Sequence, residues 1–426
     1  MLRGFESHGL RQSFRGRRVT NNTPKSQRVN PRHGVLRPRS SARNFFGLAS
    51  RALAVLVASA LVVVGYSAVN LNSQISANAT TLRDANGNII AAPKNLEGPI
   101  NMLLVGSDTR AGQGGGFGSG ITSNLADVII LLHVSADRKN AVALSFPRDL
   151  MVPWPACPST TGGPGYLPQS LGQINATIAN GGPGCTLLTV EAITGLKIPY
   201  LAMINFKGVI EMSNAIGGVT VCVANPINDT YTHLNLTAGT HTLQGLQALQ
   251  FLRTRHGIGD GSDLSRISNQ QVFMSSLFRK VKSSGVLTNP VYLYSLAEAA
   301  ARNMTLSSTL TDLNTLVALA GAFKHVSPEN MTFIQAPSRG GLPAPNQGRV
   351  QLIPDQAQQL FQKLVNDEPL ILAASNPGIG AQSDPSASPS PSSSASPSPS
   401  ASGTPAPTTL PTWVRGTKGS STTCSN

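Results

Sequence analysis

Charged side chains flank three short apolar runs of this 426-residue sequence. The runs span residues 100–105, 128–134 and 141–146, and their continuous apolar character predicts buried strands. The charged residues beside them are Asp108, Arg110, Asp127, Arg148 and Asp149. Open α/β sheets bind ligands at the carboxyl ends of strands, so these positions suit chemistry. Each residue, taken singly, is also compatible with a strand-end turn or a structural Arg–Asp pair.

Asp108 and Asp127 are the candidate metal ligands of this set. Carboxylates at neighbouring strand ends offer hard oxygen ligands, which Mg²⁺ prefers while it keeps several waters and shares the rest with a phosphate. Without a metal, two unpaired carboxylates that lie close together repel each other. The sequence therefore predicts a Mg²⁺ site formed by two carboxylates that have no other partner.

A group of arginines lies in the second half of the chain. Arg253 and Arg255 are two residues apart, so an extended backbone points both side chains to one face. Arg266 and Gln270 are four apart and share one face of a predicted helix. Guanidinium groups bind phosphate in bidentate fashion, and a pyrophosphate requires several of them. The group therefore predicts an anionic ligand; a solvated charged surface is the alternative, which the apolar flank at 248–252 disfavours.

Motifs and charge exclude several function classes. The sequence has no Gly-x-Ser-x-Gly elbow, no His-Glu-x-x-His motif and no Cys-x-x-Cys pair, which disfavours hydrolase triads and zinc sites. The net charge of +14 would ordinarily indicate nucleic acid, but residues 1–51 alone carry +11. The remaining +3 gives no general basic field, so no nucleic-acid partner is expected.

An apolar segment follows the basic N-terminal block directly. Residues 52–69 carry no charge, and eighteen residues in a helix span about 27 Å, close to the thickness of a bilayer's hydrocarbon core. A buried core helix and a cleaved signal peptide are both disfavoured, the latter because the preceding charged region is too long. We predict one transmembrane helix in the cytoplasmic membrane, with the N-terminus in the cytoplasm and everything after Val69 outside.

The four cysteines fit an oxidising compartment. Cys157 and Cys185 both lie in Pro/Gly-rich loop sequence, and we predict a disulfide between them, with two free loop thiols as the alternative. Cys222 lies among valines and is interpreted as a small core hydrophobe, whereas Cys424 lies in the C-terminal tail.

The distribution of apolar patterns predicts the domain organisation. Strand-like runs alternate with helical periodicity, which favours a layered α/β/α domain with helices on both faces of a sheet. The Ser/Pro-rich composition after residue 375 predicts disorder. The predicted segments are a basic cytoplasmic tail (1–51), a transmembrane helix (52–69), a stalk (70–97), a catalytic domain (98–370) and a disordered tail (371–426).

Short motifs follow one another in a fixed order behind the predicted membrane anchor. The main stretches are Met102-Leu-Leu-Val-Gly-Ser-Asp-Thr-Arg110, Ala126-Asp127-Val-Ile-Ile-Leu-Leu-His-Val134, Ser145-Phe-Pro-Arg-Asp149, Ile216-Gly-Gly-Val219, Arg253-Thr-Arg255 and Asp263-Leu-Ser-Arg266. Each motif is degenerate alone, but the ordered set, which covers about 200 residues, resembles the LytR-CpsA-Psr family of bacterial cell-envelope enzymes.

The resemblance implies a phosphotransferase. It implies Mg²⁺-assisted transfer of a glycopolymer from a polyprenyl-pyrophosphate carrier to a peptidoglycan hydroxyl, a reaction that depends chiefly on positioning and charge neutralisation. The roles it implies are metal binding for Asp108 and Asp127, catalysis for these two with Arg148 and Arg255, and donor binding for Arg110, Arg253, Arg266 and Gln270.

Two positions depart from the family pattern. Leu125 and Asn269 occupy places where the family commonly has arginine, so positive charge is lost near the expected pyrophosphate site. Two other functions therefore stay open. One is a non-catalytic protein that binds the lipid-linked precursor or the wall glycan, and the other is a phosphatase of the lipid carrier.

Overall fold

The structure is a computed structural model that describes residues 41–93, 95–109, 124–159, 163–283, 286, 289–372, 376–384 and 408–426. The chain divides after Val63, and residues 64–426 form one compact unit. Its strands alternate with helices along the chain, as the apolar patterns predict.

The α-helices of the described residues are α1 (Ser41–Ala77), α2 (Thr177–Thr194), α3 (Phe206–Ala215), α4 (Leu246–Arg253), α5 (Asp263–Ser283), α6 (Pro290–Asn303), α7 (Leu313–His325) and α8 (Pro354–Val365). The strands are β1 (Ile100–Ser107), β2 (Ala126–Val134), β3 (Ala141–Phe146), β4 (Met151–Trp154), β5 (Gln169–Gln173), β6 (Tyr200–Ile204), β7 (Val219–Val223), β8 (Ile227–Asp229), β9 (Leu234–Leu236), β10 (Gly239–Leu243), β11 (Met304–Leu306), β12 (Met331–Gln335), β13 (Ser338–Arg339), β14 (Gln351–Leu352), β15 (Leu370–Leu372), β16 (Ala381–Ser383), β17 (Thr408–Leu410), β18 (Gly416–Lys418) and β19 (Thr423–Ser425).

A seven-stranded mixed sheet forms the centre of the domain, in the order β11-β6-β1-β2-β3-β12-β18. β1 pairs in parallel with β6, and β3 with β12, whereas β2 runs antiparallel between β1 and β3. The carboxyl ends of β1, β3, β6 and β12 therefore meet the amino end of β2 at one edge of the sheet. This edge is where the sequence places its charged residues.

Side chains of the central strands alternate between two apolar clusters, because successive residues of a strand point to opposite faces. In β1, Leu103 and Val105 belong to one cluster and Met102 and Leu104 to the other. Helices α2 and α8 pack on the first face, and α7 with the end of α1 packs on the second. The sheet thus has helices on both faces, which confirms the predicted layered α/β/α architecture.

A smaller four-stranded sheet, in the order β10-β7-β19-β16, lies beside a third apolar cluster. That cluster contains Phe251 of α4 and Phe273 of α5, whose rings lie 6.3 Å apart. Helix α5 also contributes Met274 to the second cluster. This helix therefore joins the two sheets, and its first turn enters the edge that carries the charged residues.

The N-terminal apolar segment is helical, as expected, but the helix is longer than the predicted span of 52–69. It runs over Ser41–Ala77, and the stretch Phe45–Ala77 is long and apolar enough to cross a membrane. Residues 70–77 of the predicted stalk continue the helix, and Ile75 is buried in the second apolar cluster of the domain. The stalk is therefore shorter than predicted and is anchored in the core.

The predicted disulfide between Cys157 and Cys185 is present, with the two Cα atoms 5.3 Å apart. A second disulfide joins Cys222 to Cys424, so the interpretation of Cys222 as a free core residue is wrong. These two residues face each other because β7 and β19 pair in parallel in the register Cys222 to Cys424.

The prediction of a disordered tail over 371–426 is wrong for residues 408–426, which form strands; residues 385–407, which hold most of the Ser/Pro-rich stretch, lie outside the described residues. β17 pairs with β15, β18 forms one edge of the central sheet, and β19 lies inside the smaller sheet. Arg279 of α5 donates to the carbonyl oxygens of Gly419 and Ser421 at 3.1 and 2.7 Å. Residues 408–426 are therefore part of the folded domain.

We expect the Cys222–Cys424 disulfide to be a major stabilising constraint, because it closes a loop with a sequence separation of 202 residues. Chain entropy predicts a loss of about 5 kcal/mol in the free energy of unfolding when both residues are replaced by serine, against about 3.5 kcal/mol for the pair Cys157 and Cys185. Urea unfolding of the two double variants measures both losses. Full stability of Cys222→Ser/Cys424→Ser, or alkylation of Cys424 without reduction, would contradict the pairing.

Candidate active site

Asp108 and Asp127 lie at adjacent strand ends, as the sequence predicts. The antiparallel register pairs Ser107 with Ala126, so Asp108, which follows β1, lies opposite Leu125, and Asp127 is the second residue of β2. Oδ1 of Asp108 accepts a hydrogen bond from the backbone N–H of Leu125 at 2.7 Å, and the N–H of Asp108 donates to the Leu125 carbonyl at 3.0 Å. These bonds fix the Asp108 carboxylate at the edge of the sheet.

Arg148 follows β3 and pairs with the carboxylate of Asp127 at 2.5 Å. Its Nε lies 3.7 Å from Asp149 and 3.6 Å from Asp263. Burial acts to lower the pKa of Arg148, but the charges of Asp127, Asp263 and Asp149 outweigh it and raise that pKa. The expectation that Asp127 has no partner without a metal is therefore wrong, because Arg148, which follows β3, pairs with it.

The first turn of α5 completes this charged group. Asp263 and Arg266 are both buried, and their side chains pair at 2.8 Å. Arg266 also donates to the backbone carbonyl of Asp127 at 2.7 Å, while Asp263 accepts from the backbone N–H of Arg148 at 3.2 Å. Asp263 therefore binds the end of β3 and Arg266 binds the start of β2, and these two contacts hold α5 against the edge of the sheet.

Asp149 connects the site to two further segments. Its Oδ1 accepts from the Gln173 amide and from Arg349, both at 2.6 Å. The sequence interpretation did not identify Asp263 or Arg349 as site residues. Asp263 was visible within a family motif, whereas Arg349 lies in a loop with no motif around it.

Among the three arginines of this group, Arg255 is the one whose charge is least neutralised by nearby carboxylates. Burial is the largest cause of its lowered pKa, and the nearby charges of Arg148 and Arg266 lower it further. Among the described residues, its buried Nε has no hydrogen-bond partner. We call the six residues that meet here the arginine–aspartate cluster: Arg148, Arg255, Arg266, Asp127, Asp149 and Asp263.

Asp229, at the end of β8, holds Arg255 in place through the backbone. One carboxylate oxygen accepts from the N–H groups of Arg255 and His256 at 3.0 and 3.2 Å, and the other accepts from Tyr231 and Thr232 at 2.9 and 3.2 Å. Burial acts to raise the pKa of Asp229, but these four backbone donors lower it. No sequence motif marked this residue.

The remaining predicted residues have different surroundings. Arg253 lies over the ring of Phe206, 4.4 Å from its centroid, where α3 begins after the end of β6. Gln270 is buried, and its amide donates to the Leu252 carbonyl at 3.0 Å. Arg110 lies outside the described residues. Donor binding by these three residues stays a prediction.

Asn269, one of the two departures from the family pattern, has a structural role here. It is fully buried, its amide nitrogen donates to the Phe251 carbonyl at 2.6 Å, and its oxygen accepts from the hydroxyl of Ser425 at 2.6 Å. The neutral side chain therefore binds α5 to α4 and to the C-terminal strand β19. Leu125, the other departure, supplies the backbone N–H that fixes Asp108.

Asp108 and Asp127 fit a Mg²⁺ ion by the chemistry of their side chains. Both offer hard carboxylate oxygens, and they lie at the adjoining ends of the paired strands β1 and β2. Arg148, which binds Asp127, would need to share or release that carboxylate when a cation is bound. Two carboxylates supply too few ligands for a complete shell, which agrees with the preference of Mg²⁺ for waters and phosphate oxygens as the others.

The fold and the site define a class of protein: a layered α/β/α domain with an arginine-rich cluster at the carboxyl ends of its strands, behind an apolar N-terminal helix. The sequence matches the LytR_cpsA_psr family over residues 65–364. The chain therefore belongs to the LytR-CpsA-Psr family.

Curated relatives carry names from cell-wall synthesis. The cell wall biosynthesis protein LcpA of Corynebacterium glutamicum is 28% identical over 300 residues, which cover 64% of this chain and 56% of the relative. The teichoic acid transferase TagT of Bacillus subtilis, named for transfer from a polyisoprenyl carrier to peptidoglycan, is 28% identical over 239 residues, covering 55% of this chain and 67% of that protein. The chain thus spans little more than half the length of LcpA.

A solved structure supports the fold. A protein from Streptococcus agalactiae superposes with a TM-score of 0.52 and 22% identity, covering 63% of this chain and 88% of that one. At this identity, the likeness shows the arrangement of strands and helices alone.

We expect Asp229→Asn to destabilise the protein by about 2–4 kcal/mol at pH 7, because the new amide NH₂ would face two backbone N–H donors. The folded pKa of Asp229 is lowered, so its stabilisation is complete above the unfolded pKa near 3.9 and is lost as pH falls through the folded value. Urea unfolding between pH 7 and pH 3 measures this. The exposed Asp312, whose carboxylate caps α7, supplies the control Asp312→Asn. An equally small effect of both variants would contradict the role of Asp229.

Proposed function

We propose that the chain transfers a phosphate-linked glycopolymer from a polyprenyl-pyrophosphate carrier to a hydroxyl group of peptidoglycan. The observation that carries this proposal is Arg255 within the arginine–aspartate cluster. A partly buried guanidinium whose pKa is lowered by burial and by two other arginines is costly unless an anion binds it. A pyrophosphate supplies the missing charge and several acceptor oxygens.

The charge balance of the cluster fits a ligand that arrives with its own negative charge. Three aspartates and three arginines meet, but Arg148 and Arg266 take the close carboxylate contacts. Arg255 receives only the more distant fields of Asp263 and Asp149. An anion that binds beside Arg255 would therefore form an ion pair with a guanidinium that the protein's own carboxylates have not neutralised.

In the proposed reaction, the acceptor hydroxyl oxygen attacks the phosphorus atom next to the glycan. The bond from that phosphorus to the bridging oxygen breaks, polyprenyl phosphate leaves, and the proton of the acceptor hydroxyl passes to solvent. Negative charge spreads over the phosphoryl oxygens in the transition state, where Arg255, Arg148 and Arg266 stabilise it. Mg²⁺ held by Asp108 and Asp127 would neutralise further charge on these oxygens.

The names of the relatives support this function. LcpA is named for cell wall biosynthesis and TagT for teichoic acid transfer from a polyisoprenyl carrier to peptidoglycan. Together with the cluster, they favour glycopolymer transfer over the other reactions open to an arginine-rich site.

The proposed reaction takes place outside the cytoplasm, where peptidoglycan lies. The apolar helix anchors the domain in the cytoplasmic membrane, and the twelve Lys and Arg residues that precede residue 52 favour a cytoplasmic N-terminus. A periplasm- or surface-active reporter fused after Asn78, just beyond the helix, would be inactive if the orientation were reversed.

A non-catalytic binding protein is the second candidate. The observation that favours it is Asn269, where a neutral, fully buried side chain stands in place of the family's arginine and makes structural hydrogen bonds. This removes one positive charge from the neighbourhood of the cluster. A phosphatase of the lipid carrier would use the same cluster with water in place of the acceptor hydroxyl.

Reconstitution of the purified full chain with a lipid-linked donor, Mg²⁺ and peptidoglycan tests the proposal. We expect glycan to become covalently linked to peptidoglycan. Release of free phosphate or pyrophosphate without transfer would instead identify a carrier phosphatase. Donor binding without any product would identify a binding protein.

Arg255→Gln is expected to lower the kcat/KM of transfer by about 10- to 150-fold, because a charge-assisted hydrogen bond to phosphate is worth about 1.5–3 kcal/mol. The matched control is Arg302→Gln, since Arg302 is exposed and pairs with Glu298 on α6. Arg279 is unsuitable as a control because it binds the C-terminal segment. Equal effects of both variants would indicate bulk electrostatics rather than a specific site.

A further inference from the structure

An exposed aromatic pair lies next to the arginine–aspartate cluster. The rings of Tyr231 and His256 stack with their centroids 4.2 Å apart and a tilt of 31°. Tyr231 nevertheless remains 75% exposed. His256 directly follows Arg255 in the chain, so the aromatic pair lies within one residue of the least compensated cation.

The pair is held rigidly relative to Arg255. Asp229 binds the backbone N–H groups on both sides, those of Tyr231 and Thr232 in the turn between β8 and β9 and those of Arg255 and His256. The hydroxyl groups of Thr232 and Thr254 lie 3.0 Å apart and form a second link.

Gly257 allows the close approach of these two segments. A Cβ atom added at this glycine would lie 3.1 Å from the carbonyl oxygen of Asn228 and 3.1 Å from a methyl group of Ile227. The loop that carries Arg255 and the hairpin that carries Tyr231 therefore behave as one unit. The tyrosine ring, stacked on His256, therefore presents its open face from a backbone that is tied to the loop of Arg255.

We propose that Tyr231, supported by His256, is a stacking platform for a sugar ring of the glycan substrate. Sugar rings present faces of C–H groups that pack on aromatic rings, and the tyrosine hydroxyl offers a hydrogen bond at the edge. Because His256 directly follows Arg255 in the chain, this platform adjoins the residue that would bind the phosphate. The proposal rests on the proposed function and assigns it a glycan subsite.

A sugar suits this surface better than a nucleobase or a protein partner does. Nucleobases also stack on tyrosine, but the chain after residue 51 carries only +3 and lacks the basic field that nucleic-acid binding uses. A protein partner usually buries a contiguous apolar patch, whereas the neighbours of Tyr231 in its turn are polar: Asp229, Thr230, Thr232 and His233.

The sugar has two possible sources, the phosphate-linked donor and the peptidoglycan acceptor, which share the same ring chemistry. Three probes separate them: inorganic pyrophosphate, a short-chain prenyl-pyrophosphate-linked N-acetylglucosamine, and soluble peptidoglycan fragments without phosphate. Isothermal titration calorimetry with the full chain in detergent measures the affinity of each probe for wild type and variants.

Tyr231→Ala is expected to weaken binding of at least one sugar-bearing probe by about tenfold and to leave the affinity for inorganic pyrophosphate unchanged. Loss with the prenyl-linked sugar alone assigns the platform to the donor, and loss with the peptidoglycan fragments alone assigns it to the acceptor. Tyr231→Trp should retain binding of the same probe. Tyr292→Ala, which removes an exposed aromatic ring from α6, is the control without effect.

If Tyr231→Ala binds both sugar-bearing probes with unchanged affinity, the proposal that Tyr231 stacks on a sugar is wrong. An equal loss for inorganic pyrophosphate would also overturn it, because the substitution would then act on the anion site. Failure of wild type to bind inorganic pyrophosphate at all would instead count against the proposed function, so the two failures are distinguishable.

Discussion

The concentration of charged side chains at one edge of the central sheet is the constraint on which the rest of the site depends. Three arginines and three aspartates meet where β1, β2, β3 and α5 converge; Asp263 and Arg266 pair within α5, and the other close contacts join two different elements. Arg148 binds β3 to β2, and Arg266 binds α5 to β2. Buried ion pairs of this kind are weak sources of stability but strong constraints on geometry, since an unpaired member is costly. Among the described residues, Arg255 is the member of the cluster without a close carboxylate contact, and the proposed pyrophosphate would pair with it.

The parts of the fold that lie furthest along the chain support this arrangement. The C-terminal strand β19 enters the smaller sheet through the Cys222–Cys424 disulfide, and Ser425 binds Asn269 inside α5. The carbonyl of Asn426 accepts from the N–H of Gly259, which lies in the loop between Arg255 and α5. The C-terminal segment thus fixes both the helix and the loop that carry the arginines. A neutral Asn269 suits this role, because a longer charged side chain would occupy the place where Ser425 binds.

The sequence was sufficient to predict features that depend on local pattern. Apolar runs located the central strands, and two loop cysteines located the first disulfide. The charged strand ends were expected to meet at one edge of the sheet, where Asp127, Arg148 and Asp149 do lie together. Features that depend on distant contacts were missed or wrong. The partner of Cys222 is separated from it by 202 residues, beyond a Ser/Pro-rich stretch whose composition predicted disorder for the whole tail. The pairing of Asp127 with Arg148 needed the β2–β3 register, and Asp229 carries no motif because it acts on backbone groups.

Arg255 is a partly buried cation, and the central claim is that its charge is fully compensated when an anion binds. Unfolding of wild type and Arg255→Met, with and without inorganic pyrophosphate, tests it most directly. Methionine keeps an unbranched side chain and removes the charge, so the account predicts a variant that is more stable than wild type by about 1 kcal/mol or more in anion-free buffer. Pyrophosphate should raise the stability of wild type and have little effect on the variant. A variant that is less stable than wild type without anion, and that pyrophosphate stabilises to the same extent, would contradict the account.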